Sequence, residues 1–435
     1  MFTLVLLDIL CSKTSVNIYY DKENDVYMFM ENTTSKVNLE KEKREIAKTI
    51  IEYDEILNLL RTKGKNRDYY NIKVSISPIV DVTSVKREFQ SQVFNNSNIM
   101  KMLVNKSNLS WSNDGNIVHL LPQYFEVDSI DVSSIEKYMK NYGDNIAIAV
   151  PKKYDFNRET IIEYAVYKKM LINEKYLKDE GTKQYLVNEK NKYEDLLTKK
   201  IDEYTDIKNF LFVFNSGTCE FDNYDDLFAY MLKKHYFKFP DIKTPIRSER
   251  RVTNQIIKTF VAPGEKVIAK SSNAEEDRLI KEVMHSLDLA DIKEMPAGNV
   301  KAELKIPIKG NNAISHEIFE IVCSDEKNKI FNILENSPYG MPEFLIELYI
   351  ACAVSLGKIY IYEGEKLLPV SPEVVGNIKA NEKLEIRKAK DDLDYDELKY
   401  AIALWKVIAK PISSTNYKKF NPEKGIKNKL EFMAS

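Results

Sequence analysis

Residues 337–370 read SPYGMPEFLIELYIACAVSLGKIYIYEGEKLLPV. Ser337-Pro338-Tyr339-Gly340 is a tight-turn signal. MPEFLIELYIACAVSL then reads as a helix that ends at Gly357. KIYIYEGEKLLPV reads as two short strands about Glu363–Gly364. Immediately upstream, DEKNKIFNILE (325–335) is another helical stretch. Helix, tight turn, helix, hairpin is the order of a winged helix-turn-helix, and it sets the expected class: α+β, with several domains.

Working toward the N-terminus, VKAELKIPI (300–308) alternates as a strand. Residues 248–292 look helical, interrupted by APGEK at 262–266, and Pro240 to Pro245 forms a linker. FLFVF (210–214) is a buried-strand pattern. Between 157 and 205, Leu186, Tyr193, Leu197 and Tyr204 recur at steps of seven, four and seven, with Lys and Glu between. That predicts two long charged helices, paired as a hairpin. NIAIAV (145–150) suits a buried, parallel strand stopped by Pro151. Residues 87–140 are less regular, with a turn at Asn113–Gly115 and a short strand at Ile117–Leu121.

The first hundred residues open with FTLVLLDILC, which reads as a buried strand: it is too short for a membrane span and contains Asp8. A chain that starts inside such a strand is expected to be truncated relative to its relatives. SVNIYYDKENDVYMFME predicts a hairpin. Leu39, Ile46, Ile50, Tyr53, Leu57 and Leu60 form one apolar stripe, predicting a single helix closed by Gly64. NIKVSISPIVDV alternates as a strand, with Pro78 at an edge.

The five expected segments are 1–150, mixed α/β; 151–240, a long charged helical pair with an apolar strand; 241–310, a helical linker with a basic cluster; 311–410, a winged-helix-like module; and 411–435, a polar tail. Composition bounds their function. The 64 Lys+Arg against 66 Asp+Glu give a net charge of −2, so nucleic-acid contact would need a local basic patch. The 4 cysteines are scattered, without a C-x-x-C pair, which fits a reducing cytoplasm and excludes a zinc knuckle. The expectation is a cytoplasmic chain with no metal or cofactor of its own.

Motifs that could carry chemistry are sparse. Gly64-Lys65 is followed by Asn66, and no glycine stands five residues earlier, so a phosphate-binding loop is not spelled. Arg278 and His285 are seven apart in RLIKEVMH, the form of the Arg/His pair of HEPN ribonucleases, with His as general base and Arg on the scissile phosphate. A solvated helix face is the simpler account, since Leu279 stands where those enzymes often place a polar residue. Asp291 with Glu303-Leu304-Lys305 loosely spells the D…E-x-K metal site of restriction-type nucleases, or an ordinary half-exposed strand. The acidic run Glu220, Asp222, Asp225 and Asp226 lacks the glycine and terminal glutamate of a calcium loop, and Asp222 or Asn223 as a helix cap is the simpler account.

Lys243, Arg247, Arg250 and Arg251 form the densest basic cluster. Positive charge at a helix start opposes the helix dipole, which points to an anionic partner; pairing with Glu249 is the bland account. The helix at 341–356 offers Glu343 and Glu347 and no cation before Lys358, so it lacks what a major-groove reader needs.

Three stretches resemble a known family. SPYGMPEFLIELYIACAVSLGKIYIYEGEKLLPV with EVVGNIKANEKLEIRKA, the strand–proline–helical-pair–strand run of 145–214, and SVNIYYDKENDVYMFMENTTSKVNLEKEKREIAKTI look like the BrxC/PglY-type P-loop ATPases of BREX phage-defence systems. The resemblance lies in hydrophobicity and turns, and the Walker motifs are absent. It implies the non-catalytic C-terminal region of such an ATPase, mediating assembly with other defence-system proteins or an ATPase domain, with DNA as a further contact. The rivals are a winged-helix nucleic-acid-binding regulator and a HEPN-like or restriction-like nuclease.

Overall fold

The protein is described from a computed structural model, which covers residues 7, 18–21, 26–29, 36–70, 73–76, 84–95, 112–121, 130–154, 156–247, 249–260, 266–268 and 281–389. It is a mixed α/β chain with two compact units, Met1–Val74 with Phe89–Leu227, and Ser75–Glu88 with Phe228–Ser435. No helix among the described residues is long and apolar enough to cross a membrane. Of the opening run only Leu7 is described, and it is helical; the strand expected there, the Pro78 edge and the 411–435 tail lie outside the described residues.

Unit 1 begins with the antiparallel hairpin β1 (Ile18–Asp21) and β2 (Val26–Phe29). The single helix expected over 39–60 is two: α1 (Lys36–Ala47) and α2 (Glu52–Thr62). Three consecutive β-branched residues, Thr49, Ile50 and Ile51, fill the break, where helix propensity is poor. Glu52, Asp54 and Glu55 then supply the negative first turn a new helix favours.

A six-stranded sheet follows: β3 (Lys73–Ile76), β4 (Arg87–Asn95), β5 (Gly115–Leu121), β6 (Ile146–Pro151), β7 (Phe210–Phe214) and β8 (Gly217–Cys219), in that spatial order. β4, β5 and β6 run parallel, and β7 and β8 are antiparallel additions. Residues on both sides of position 150 therefore share one sheet. β4 escaped the sequence reading because its alternation, Phe89, Ser91, Val93 inward, carries a polar residue on the buried side. Helix α3 (Val132–Met139), capped by Asp131, packs Ile135 and Met139 on Val118, Leu120, Ile148 and Val213.

Where two long helices were expected, α4 (Arg158–Met170) has 13 residues, α5 (Glu174–Leu177) has 4 and α6 (Glu180–Tyr204) has 25. Asn157, Asn173 and Asp179 each cap the helix that follows, which is why the first run breaks. Gly181 lies in the first turn of α6. The helices pack on α1 through Leu39, Ala165, Tyr167 and Leu186. Their outer faces are interlocked by Lys43–Glu163 (2.9 Å), Lys168–Glu55 (2.8 Å) and Lys63–Glu194 (2.9 Å). Helix α7 (Tyr224–His235) follows β8.

Unit 2 carries α8 (Glu249–Phe260), β9 (Lys266–Ile268), a helical stretch at 281–286, β10 (Ala290–Glu294), β11 (Val300–Leu304), α9 (Ala313–Ser324), α10 (Lys327–Glu335), α11 (Glu343–Ser355), β12 (Ile359–Glu363), β13 (Lys366–Leu368), α12 (Pro372–Val375) and β14 (Leu384–Lys388). Residues 290–292 are thus extended, contrary to the helical expectation. Ala290 is the only buried residue of β10, so local periodicity is weak and pairing with β11 makes the strand. The small sheets run β10-β11-β9 and β13-β12-β14.

Helix α11 is the centre of unit 2. Phe344 through Ala353 are all buried, and α8, α9, α10, α12 and β12 pack around it. The turn before it needs Gly340. Its φ is +58°, and a Cβ there would lie 2.3 Å from the Tyr236 ring. The Arg87 guanidinium lies 4.7 Å from the same ring and donates to Gly340 O at 2.8 Å, so the ring has little room to yield. Gly340→Ala is expected to cost about 3 kcal/mol, the sum of left-handed strain and overpacking, read as a lowered urea midpoint.

Candidate nucleic-acid interface

The basic cluster lies on two successive local structures. Residues 241–247 alternate: Ile242, Thr244 and Ile246 are buried, and Asp241, Lys243 and Arg247 face out. Ile246 N donates to Ser84 O at 2.8 Å, anchoring this extended segment. Lys243 pairs with Asp241 at 3.3 Å, an exposed contact worth little. In α8, Val252, Thr253, Ile256 and Ile257 form the inward stripe. Arg250 stands one turn before Thr253, at the edge of that stripe; like Arg251 it is exposed.

Within unit 2, Arg250 meets two carboxylates of α11. Its Nη1 donates to Oε2 of Glu347, and its Nη2 lies 3.4 Å from Oε1 of Glu343. Glu347 is fully buried in the middle of α11. Burial pushes its carboxyl up to about 7 against the pull of Arg250, and Glu343 adds to the rise. Oε1 of Glu347 has no hydrogen-bond partner among the described residues. Glu343 continues to Lys379 at 3.6 Å, and Lys379 pairs with Glu335. These ion pairs tie α8, α10, α11 and the turn after α12 together.

Of the residues of the nuclease alternatives, the structure describes His285, Asp291, Glu303 and Lys305. His285 is exposed at the end of the 281–286 helical stretch, and Arg278 lies outside the described residues. Asp291 and Glu303 are register partners across β10 and β11. Lys305 is occupied, at 2.5 Å from Asp288 and 2.9 Å from Asp291. Burial tends to raise the Asp288 carboxyl, but Lys305 and the Ile308 N–H outweigh it and hold it below its ordinary range. Lys305 therefore acts as a counter-ion for a turn residue with φ of 53°. Among the described residues no group of three or more His, Cys, Asp or Glu side chains could hold a metal ion. Burial drives the thiols of Cys323 and Cys352 up to about 12, so neither offers a thiolate near neutral pH.

Sequence reasoning passed over His119 in unit 1. It sits in β5 on the sheet face opposite α3, fully buried, with neither ring nitrogen partnered among the described residues. The Tyr70 ring lies 4.3 Å away and the Phe210 ring 5.5 Å. Burial lowers its pKa to about 3, so it is neutral at physiological pH. The available signal was one polar residue at an inward position of an apolar strand, IVHLL. Comparison with known proteins adds no assignment: no family model, no curated protein and no solved structure matches this chain.

Proposed function

We propose that this chain is a non-catalytic assembly module of a BREX-like phage-defence ATPase, with weak, sequence-independent contact to nucleic acid through Lys243, Arg247 and Arg251. The observation that carries the contact is the sidedness of 241–251: apolar residues anchor it while these three cations face out. A backbone-positioning patch of this kind holds phosphates without reading bases. The assembly half rests on the sequence resemblance and on the economy of unit 2. In the order α9, α10, α11, β12, β13, read as a winged-helix-like module, the second helix of the motif is consumed by its own core. A helix buried on every side cannot enter a groove, so packing is favoured over base reading. The paired α4 and α6, with their interlocked charges, serve as a stiff support in the same reading.

The test is a salt titration of duplex DNA binding by the wild type and a K243A/R247A/R251A variant. Arg250 is left in place because Glu347 depends on it. The log–log slope is expected to fall by about 0.9 for each phosphate-contacting cation removed. An unchanged slope would remove the patch from the reading. Sequence-selective binding abolished by substitutions in 343–355 would favour a base-reading regulator.

A further inference from the structure

Unit 2 contains a groove of about 690 Å³ between one face of the β13-β12-β14 sheet and α12 with the turn that follows it. Register puts Glu363 opposite Leu384, and Ile361 opposite Leu368, so Glu363, Leu368 and Leu384 share that face. Leu368 and Leu384 with Val374 of α12 make the apolar floor, and Glu363, Glu373 and Glu382 line the rim. The volume falls in the range of about 300–1,000 Å³ typical of ligand pockets.

The rim gathers three carboxylates, without ion pairs among the described residues, around one groove. Elsewhere in unit 2, Glu317, Glu335, Glu343, Glu347 and Glu385 each have a cationic partner. Glu363, Glu373 and Glu382 make no ion pair among the described residues. The carboxyl of Glu373 is held below its ordinary range by its own backbone N–H and by Ser371, so its charge is kept. Lys383 is the one cation in the lining. Phosphates would be repelled by this rim. An apolar floor beneath a carboxylate rim matches a side chain with an aliphatic stem and a cationic head.

We propose that this groove docks a lysine- or arginine-bearing segment of a partner protein. The inference rests on the assembly half of the function proposed above and names the chemistry of the partner. Stems would lie on Leu368, Val374 and Leu384, and heads would pair with the three glutamates.

The probe is a short fluorescein-labelled peptide of alternating Arg and Val, followed by anisotropy, with an alternating Glu and Val peptide as control. The Arg–Val peptide is expected to bind and the Glu–Val peptide not to. An E363Q/E373Q/E382Q variant is expected to bind about tenfold more weakly. An L368N variant, which leaves the charges intact, is expected to lose affinity as well, and circular dichroism checks that both variants fold. Absence of binding to the wild type, or equal affinity in the triple variant, would overturn the proposal. So would full affinity in L368N with displacement by spermine, which would mark a diffuse acidic surface. The duplex salt slope is read from cations outside the groove, so failure here leaves that result standing.

Discussion

Arg250→Met should destabilise unit 2 by about 3 kcal/mol at neutral pH, and a second change, Glu347→Leu, should restore most of the loss. Glu347 is fully buried, and Arg250 is its counter-ion. Removing one partner leaves a charge with neither water nor cation, which typically costs about 3–5 kcal/mol; the lower end suits an arginine that is 47% exposed. Replacing both by apolar residues of similar size removes the desolvation penalty with the attraction, so the double variant regains a packed interface between α8 and α11. The pH dependence has a definite sign. The folded carboxyl titrates near 7, above its ordinary 4.5. The folded state therefore binds the proton more tightly, and the resulting stability is full below 4.5 and lost as pH rises through 7. The cost of Arg250→Met should be larger at pH 8 than at pH 5.5, because protonation relieves the orphaned charge. Amide exchange in 249–260 and 343–355 at both pH values reads this locally. A double variant no more protected than the single one would show that the pair is not the reason for the loss.

His119→Leu should flatten the acid response of unit 1. Folded His119 titrates near 3 against an ordinary 6.5. The unfolded state binds the proton first, so stability falls as pH drops below 6.5 and levels off near 3. Each pH unit is worth about 1.4 kcal/mol, giving a total of about 5 kcal/mol across the window. Near neutral pH the substitution should be almost neutral or stabilising, because it removes a buried polar ring with no hydrogen-bond partner among the described residues. Acid protonation of carboxylates affects both proteins equally, so the wild-type-minus-variant difference isolates the imidazole. Exchange in 115–121 and 146–151 between pH 7 and 4 measures it. Parallel curves for the two proteins would assign the acid sensitivity elsewhere.

Much of the secondary structure was legible because its causes are local. IVHLL, NIAIAV and FLFVF are short apolar runs bounded by polar or proline residues, and they became β5, β6 and β7. The antiparallel pairing of 18–21 with 26–29 and the helix of 343–355 were read from a few adjacent residues. Breaks were harder. The stripe from Leu39 to Leu60 keeps its period across the junction of α1 and α2, so periodicity alone could not show the interruption, although Thr49-Ile50-Ile51 and the acidic turn after it could have. Strands β4 and β10 were missed for opposite reasons: one buries polar residues, and the other buries almost nothing.

By itself, the sequence determined the periodic elements, their caps, the lack of a phosphate-binding loop and the cations of 243–251, since each depends on neighbours a few residues apart. Tertiary structure alone decided what those residues do. Arg250 and Arg251 are chemically identical and adjacent, yet one faces a buried glutamate almost a hundred positions away and the other faces out. Lys305 looked like part of a metal motif and is a counter-ion to Asp288 and Asp291. Glu347 read only as a charge that would keep the 341–356 helix off DNA, and it is fully buried against Arg250. The physical reason is common to all three. A charge takes its energy, and its role, from the water it loses and the partner it meets, and both are set only when distant segments pack.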